Sequence, residues 1–516
     1  MCARVASVGL RGLEGYLVYA EVKAMVGVDS IVIVGLPDAA VKESKERIAA
    51  AFHSLGYSLS SKKIIIHLSP AEMKKNGPMF DLAMAISVLI SLKELKMAIP
   101  EHIGFIGALS LDGRVQPVEG MLPAVLAAKK LGLKKLYMPF DERLPVLDFK
   151  EMDIIYISSL EEVIHHLNGQ MITPLVPKPK ELETGTNFTD FQQIVGHPYA
   201  KYALEVAAAG EHHIFMTGPP GCGKSLLSES FPSIMPPLSN EAQLEMISLY
   251  QLSGSSWTHT KIPPFRSPHH SASGVSIIGG GQFPKPGEVS LAHRGVLFLD
   301  EIAEFTKKTL DMLRQPLESG IVSISRTQAT ITYPASFILI GAMNPCPCGY
   351  TGSNTHYCTC NPKQITAYQN KISGPLRDRF DINLSLRPVN LKSDKGNKEE
   401  PSSNIRMRVE EARKRQYERY GKEISNGRVS YHTLLQTSPL TQEQERTLQQ
   451  FSIKKSWSNR TQIKIIRLAR TVSDLQGSDT ITDQSIWEAV KLNNIKEIKN
   501  ALGTRVYAHT PGNNKF

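Results

Sequence analysis

The chain has 516 residues, 41% of them hydrophobic, six cysteines and a formal charge of +10. Its length predicts roughly two to four domains, with enough apolar residues for real cores. No apolar run reaches bilayer length and no leader pattern opens the chain, which excludes a membrane-spanning or secreted reading and predicts a cytoplasmic protein. Six cysteines in this length exclude a disulfide scaffold.

Residues 1–168 alternate β-branched runs (Ile31–Val34, Ile64–Leu68, Ile103–Leu109) with helical stretches (Ala39–His53, Phe80–Leu92, Leu122–Leu131), which predicts an α/β or α+β domain. Residues 169–190 are rich in Pro, Thr and charge and read as a linker. A second α/β block spans 191–390, with strand signals at Ile214–Thr217, Val296–Leu299 and Phe337–Ala342. Residues 391–402 are polar with Gly and Pro and mark a second linker. Residues 403–502 carry helical periodicity, clearest at Asn404–Tyr420 and Gln462–Leu475, and 503–516 read as a loose tail.

Chemistry follows each strand of the second block. After Ile214–Thr217 comes Gly218-Pro219-Pro220-Gly221-Cys222-Gly223-Lys224-Ser225 and then a helix opener. In that strand–loop–helix order the glycines let backbone N–H groups turn towards phosphates. Lys224 is then expected to reach the β/γ-phosphates of ATP and Ser225 to ligate Mg²⁺. Val296–Leu299 ends in Asp300-Glu301; Asp300 suits Mg²⁺ and Glu301 suits polarising the attacking water. The third strand ends in Asn344-Pro345, where Asn344 can orient the lytic water or merely form a turn.

Cys346, Cys348, Cys358 and Cys360 form two C-x-C pairs nine residues apart. Paired thiolates on a short loop suit tetrahedral Zn²⁺, with His356 as a substitute ligand; free loop thiols are the alternative. Arg377-Asp378-Arg379 follows a Gly-Pro break. Arg379 is the preferred arginine finger and Arg377 the reserve, against simple pairing with the flanking acids. Arg460 opens the strongest C-terminal helix and is placed to reach phosphate from a lid.

GPPGCGKS (218–225), VLFLDE (296–301), GAMNPCPCG (341–349) and GPLRDRFD (374–381), in this order, resemble the YifB/ComM family of magnesium-chelatase-like AAA+ ATPases. Pro264–His270 and Arg314–Gly320 add to the resemblance, which runs from about Ser7 to Leu502. It implies an AAA+ core of parallel sheet with helices on both faces, a C-terminal helical lid and a homo-hexameric ring. It also implies Asn344 as sensor 1, Arg379 as the finger reaching a neighbour and Arg460 as sensor 2, here in Ser-Asn-Arg-Thr where relatives carry Ser-Ala-Arg. Ile194, Val195 and Gly196 lie where the family packs adenine. Asn76–Leu82 and Gly113–Gly120 resemble the Lon-protease-type domain of this family and of RadA. The nucleophile and lysine positions of an active Lon-type site are Met79 and Leu122 here, and neither can do that chemistry.

Residues 401–516 hold 20 Lys and Arg against 11 Asp and Glu, so +9 of the net +10 lies there. This charge and two insertions, Arg266–Gly281 and a hairpin at Gly320–Tyr333 with Arg326 near its turn, point to a motor on single-stranded or branched DNA, with no membrane partner. The resemblance points the same way, to helicase or branch-migration activity in recombination or DNA uptake. The alternatives are a chelatase-like metal-insertion motor and an ATPase remodelling a protein partner.

Overall fold

The computed structural model describes residues 3–95, 99–145, 149–171, 188–255, 261–281, 284–326, 329–352, 356–389 and 399–493. Most of both expected linkers, the tail 503–516 and the side chain of Arg326 lie outside the described residues. The chain divides into two compact units: Met1–Glu183 with Gln243–Thr260 and Ser325–Thr332, and the remainder.

The first unit is built on β1 (Ala3–Arg11), β2 (Glu14–Val26), β3 (Ser30–Val34), β4 (Lys62–Ser69), β5 (Ile103–Phe105), β6 (Lys135–Pro139) and β7 (Asp153–Ile157). They form one mixed sheet in the order β3-β4-β2-β1-β5-β6-β7. β1 and β2 pair antiparallel over nine residues, whereas β5, β6 and β7 run parallel. The expected strand Ile103–Leu109 is interrupted: Gly107 takes φ 142°, and Ala108–Leu109 leaves to pair with Val115–Gln116. A Cβ at Gly107 would stand 2.6 Å from Val115 Cγ1, so glycine permits that crossing.

Helices α1 (Ala39–Ser54), α2 (Asp81–Ser91) and α4 (Leu160–Leu167) share one core with Val5, Val18, Ile64 and Ile66; α3 (Met121–Lys130) packs in another with Val8, Leu136 and Met138. Asp81, buried at the start of α2, accepts from Arg47 Nε at 2.7 Å and Leu109 N at 3.1 Å. A carboxylate buried there needs such partners, because desolvation alone drives it to the neutral form.

The second unit carries an all-parallel sheet of β8 (Ile214–Thr217), β9 (Phe265–Arg266), β10 (Val296–Leu299), β11 (Ile338–Met343) and β12 (Ile382–Ser385), in the order β9-β10-β11-β8-β12. β8, β10 and β11 are buried along their whole length, as parallel strands covered on both faces must be. Helix α5 (Pro198–Gly210) lays a run of alanines on the sheet. Helix α6 (Lys224–Ser230) follows β8.

The C-terminal helices α7 (Ser402–Tyr420), α8 (Tyr431–Thr437), α9 (Gln442–Lys455), α10 (Asn459–Leu475) and α11 (Asp483–Leu492) do not form a core of their own. Ile405 and Val409 of α7, Ile465, Leu468, Ala469 and Val472 of α10, and Ile486 and Val490 of α11 join the same cluster as Leu204, Ile214 and Leu384. The α10 residues recur at i, i+3, i+4 and i+7, the spacing of one helical face. At about 1.5–3 kcal/mol per buried aliphatic side chain, this face is what attaches the lid.

Candidate active site

The four residues of β8 are buried, so after Thr217 the chain leaves the sheet at its carboxyl edge, where open parallel sheets hold ligands. Gly218–Ser225 makes that exit. A Cβ at Gly218 would stand 2.6 Å from Cys222 Sγ and 2.8 Å from the Leu386 carbonyl oxygen, and Gly221 and Gly223 take φ of 75° and 88°. Only glycine meets both demands without strain. Lys224 Nζ donates to the carbonyls of Gly218 at 2.7 Å and Pro219 at 3.0 Å, and to Asn344 Oδ1 at 3.0 Å. Burial pushes this ammonium below its ordinary value, against the pull of Cys222 and Asp300.

Asp300 and Glu301 leave the end of β10 in different directions. Asp300 Oδ2 accepts from Ser225 Oγ at 2.8 Å, the two expected Mg²⁺ ligands in direct contact. Their oxygens, a hydroxyl and a carboxylate, fit a hard cation. Glu301 sits at φ 47° with its side chain 55% exposed. Its Oε2 lies 3.9 Å from His270 Nδ1. Phe265 pairs with Val296 and Arg266 with Leu297, and the chain that leaves this short strand brings His270 beside Glu301. The His270 ring also stands edge-on to Phe305.

β11 lies between β10 and β8, and Met343 pairs with Thr217, so Asn344 emerges beside the phosphate loop. On the other flank, Gly196 N donates to Glu399 Oε1 at 2.8 Å. Lys201 Nζ joins Glu399 Oε2 at 2.6 Å and the Ile194 carbonyl, which fixes the Ile194–Val195–Gly196 turn. His197 follows with φ 56° and hydrogen-bonds the Cys222 backbone, tying this turn to the loop.

Lys224 is thus hydrogen-bonded to Asn344 and its neighbour Ser225 to Asp300, with Glu301 next to Asp300. Arg379 and Arg460 gather elsewhere. Arg379 precedes β12, whose Ile382 pairs with Ile214 at the start of β8, so it stands at the amino edge of the sheet, opposite the loop. Both arginines hold Glu318: Arg379 Nη2 at 2.9 Å and Arg460 Nη2 at 3.0 Å, with Arg460 Nη1 also 3.3 Å from Asp378. The reserve finger Arg377 is half-buried, and its Nη2 donates to the Gln369 carbonyl.

The four cysteines come together, their Sγ atoms all within 4.8 Å of one another. His356 does not join them; its ring stacks on Tyr350 at 4.7 Å. Sequence reasoning missed His197, His270 and Glu318. His270 had a signal in its position four residues beyond a strand adjoining the acidic one; Glu318 had none, because its partners lie 61 and 142 residues away.

In the first unit the two Lon-like segments do meet, since a Cβ at Gly120 would stand 3.9 Å from Met79 Cε. What meets is apolar: Met79 and Leu122 are both buried.

A parallel sheet with a phosphate loop, an acidic strand end, a polar strand end between them and a helical lid defines an AAA+ P-loop ATPase. The family description "Magnesium chelatase, subunit ChlI" matches residues 190–393, "Subunit ChlI of Mg-chelatase" matches 20–142 and "Magnesium chelatase, subunit ChlI C-terminal" matches 399–493. The chain is 36% identical to YifB of Salmonella typhimurium over 91% of its own length and 92% of the relative's. It is 36% identical to the competence protein ComM of Haemophilus influenzae over 93% and 95%, and 37% identical to YifB of Escherichia coli over 93% and 94%. The chain belongs to the YifB/ComM family of magnesium-chelatase-like AAA+ ATPases. A Lon protease of Lachnoclostridium phytofermentans is 25% identical over 174 residues, 21% of that protein, in keeping with a Lon-like N-terminal fold.

Proposed function

We propose that this protein is a ring-forming motor, a homo-hexamer in the cytoplasm, that spends ATP to move along or remodel single-stranded or branched DNA. ATP with Mg²⁺ occupies the loop Gly218–Ser225, with Ile194, Val195 and Gly196 against the base. Lys224 holds the β/γ-phosphates, Ser225 and Asp300 ligate Mg²⁺, Glu301 polarises the attacking water and Asn344 senses the γ-phosphate. His270 positions Glu301. Arg379 and Arg460, held as a pair on Glu318 at the far edge of the sheet, serve the site of a neighbouring copy. The first unit, with Met79 and Leu122 at its dyad positions, is a scaffold or DNA-facing module without peptidase activity. Cys346, Cys348, Cys358 and Cys360 hold a structural Zn²⁺.

The observation that carries the DNA reading is the near full-length relationship to a competence protein, at 36% identity. It is supported by the concentration of +9 of the net charge in residues 401–516. Among the described residues no helix is long and apolar enough to cross a membrane. The test is the ATPase rate and binding with branched DNA, single-stranded DNA, an unfolded protein and a tetrapyrrole as competing ligands. Branched or single-stranded DNA is expected to bind and stimulate, with affinity falling steeply as salt rises, because each neutralised phosphate releases a counterion. A flat salt response, with stimulation by unfolded protein or tetrapyrrole, sinks the DNA reading in favour of a remodelling or metal-insertion motor.

A further inference from the structure

The cysteine loop leaves the sensor strand one residue after Asn344 and returns to it. Around the four thiols, Cys346 Sγ lies 3.3 Å from Cys348 Sγ and 3.7 Å from Cys358 Sγ, and Cys348 Sγ lies 3.5 Å from Cys358 Sγ. Thiolates at about 2.3 Å from a tetrahedral zinc stand about 3.8 Å apart, close to the spacing of these sulfurs. Two side-chain-to-backbone contacts close the second shell: Thr351 N lies 3.3 Å from Cys346 Sγ, and Cys348 N lies 3.4 Å from Cys360 Sγ. Donors aimed at sulfur are the arrangement that steadies bound thiolates.

Three contacts run from this loop to the nucleotide site. Gly349, at φ 86°, packs so tightly on the phosphate loop that a Cβ there would stand 2.7 Å from Pro220 Cδ. The helix Pro362–Gln369, which begins two residues after Cys360, returns Gln369 Nε2 to the Pro345 carbonyl at 3.2 Å. Its Tyr368 hydrogen-bonds the Asn344 backbone. One end of the loop therefore presses on the P-loop and the other on the sensor.

We propose that the zinc knuckle Cys346/Cys348/Cys358/Cys360 is a strut of the γ-phosphate pocket, so that zinc occupancy sets nucleotide affinity. This rests on the zinc reading of the four cysteines. With the metal bound, the loop cannot relax away from Pro220 and Asn344. With it gone, four unlinked thiols leave both contacts to a free loop.

The experiment uses the full chain and three readouts: elemental zinc content, the visible spectrum after Co²⁺ replacement, and the affinity for a fluorescent ADP analogue. Wild type is expected to carry one zinc per chain and to show the absorption of tetrahedral cobalt thiolate. C358S/C360S is expected to lose the metal and to bind the analogue roughly tenfold or more weakly, since small misplacements of positioning groups are costly. C358H, which keeps a zinc ligand, is expected to restore both. Gly349→Ala separates the strut from the metal: it is expected to retain zinc yet bind the analogue more weakly. Wild type free of zinc after growth and purification with zinc supplied overturns the zinc reading itself. Zinc present, with unchanged analogue affinity in both the metal-free double variant and Gly349→Ala, overturns the strut and leaves the metal site standing. If the double variant fails to fold, Gly349→Ala and stepwise zinc removal from wild type decide the matter by the same readouts.

Discussion

Lys224 is held by carbonyl oxygens and Asn344, and Ser225 is held by Asp300. Each of these contacts goes to a group that ATP and Mg²⁺ would replace with phosphate or metal, so the loop is preorganised at little cost. Glu301 is different: it lies outside that network, at a left-handed φ, 3.9 Å from His270. We therefore expect Glu301→Gln to bind ATP with near wild-type affinity and to lose hydrolysis by 10²-fold or more, on the order of a lost general base. Lys224→Ala is expected to lose both binding and turnover. Nucleotide-binding and single-turnover measurements on the two variants check the split; full turnover by the Glu301 variant would remove it from the base role.

At the scale of elements, one histidine bridges the amino edge of β8, β11 and β12. His213 Nδ1 accepts from Leu339 N at 3.0 Å, and its carbonyl accepts from Asp381 N and Ile382 N. Burial, with the charge of Arg428, pushes the His213 imidazole down to about 3. The unfolded chain titrates the same ring near 6.5. Between those values the unfolded state binds a proton that the folded state refuses, so stability is full above about pH 6.5 and falls as the pH drops. The expected contribution is about 1.4 kcal/mol per pH unit in that window. His213→Asn, whose amide oxygen can accept the Leu339 bond, is expected to flatten the pH dependence of the unfolding free energy by that amount. Equal slopes for both proteins would show that His213 titrates freely in the fold.

Helices and short buried strands were legible because each is specified locally. β10 is four consecutive apolar residues, and α10 repeats them at helical spacing. β1 and β2, the longest pair, were not legible: their sequence mixes Gly, Ser and Ala among the valines, and only pairing with each other and with β4 and β5 makes them strands.

For the whole molecule, the two ends of the β8 strand separate the chemistry. The phosphate loop is at the carboxyl edge and Arg379 is at the amino edge, so one chain cannot bring its own Arg379 to its own Lys224 without leaving the fold. Arg379→Ala is expected to keep the single chain's ATP affinity and lose most turnover. Mixed with Lys224→Ala, it is expected to regain part of the activity, in rings where an intact site faces an intact Arg379. Absence of rescue at every mixing ratio would argue that the arginine acts within its own chain or serves only to hold Glu318.

The sequence by itself located the candidate nucleotide site, because a phosphate loop, an acidic strand end and an Asn-Pro turn are each written within a few consecutive residues whose geometry is local. It also determined the four-cysteine grouping, since both pairs lie within one loop of fifteen residues. Only the tertiary structure decided that Arg377 donates to the Gln369 carbonyl, that Arg379 and Arg460 share Glu318, and that His270 faces Glu301. These depend on the order of strands in a parallel sheet and on how a distant helix packs, and neighbours fixed by packing leave no periodicity in the chain.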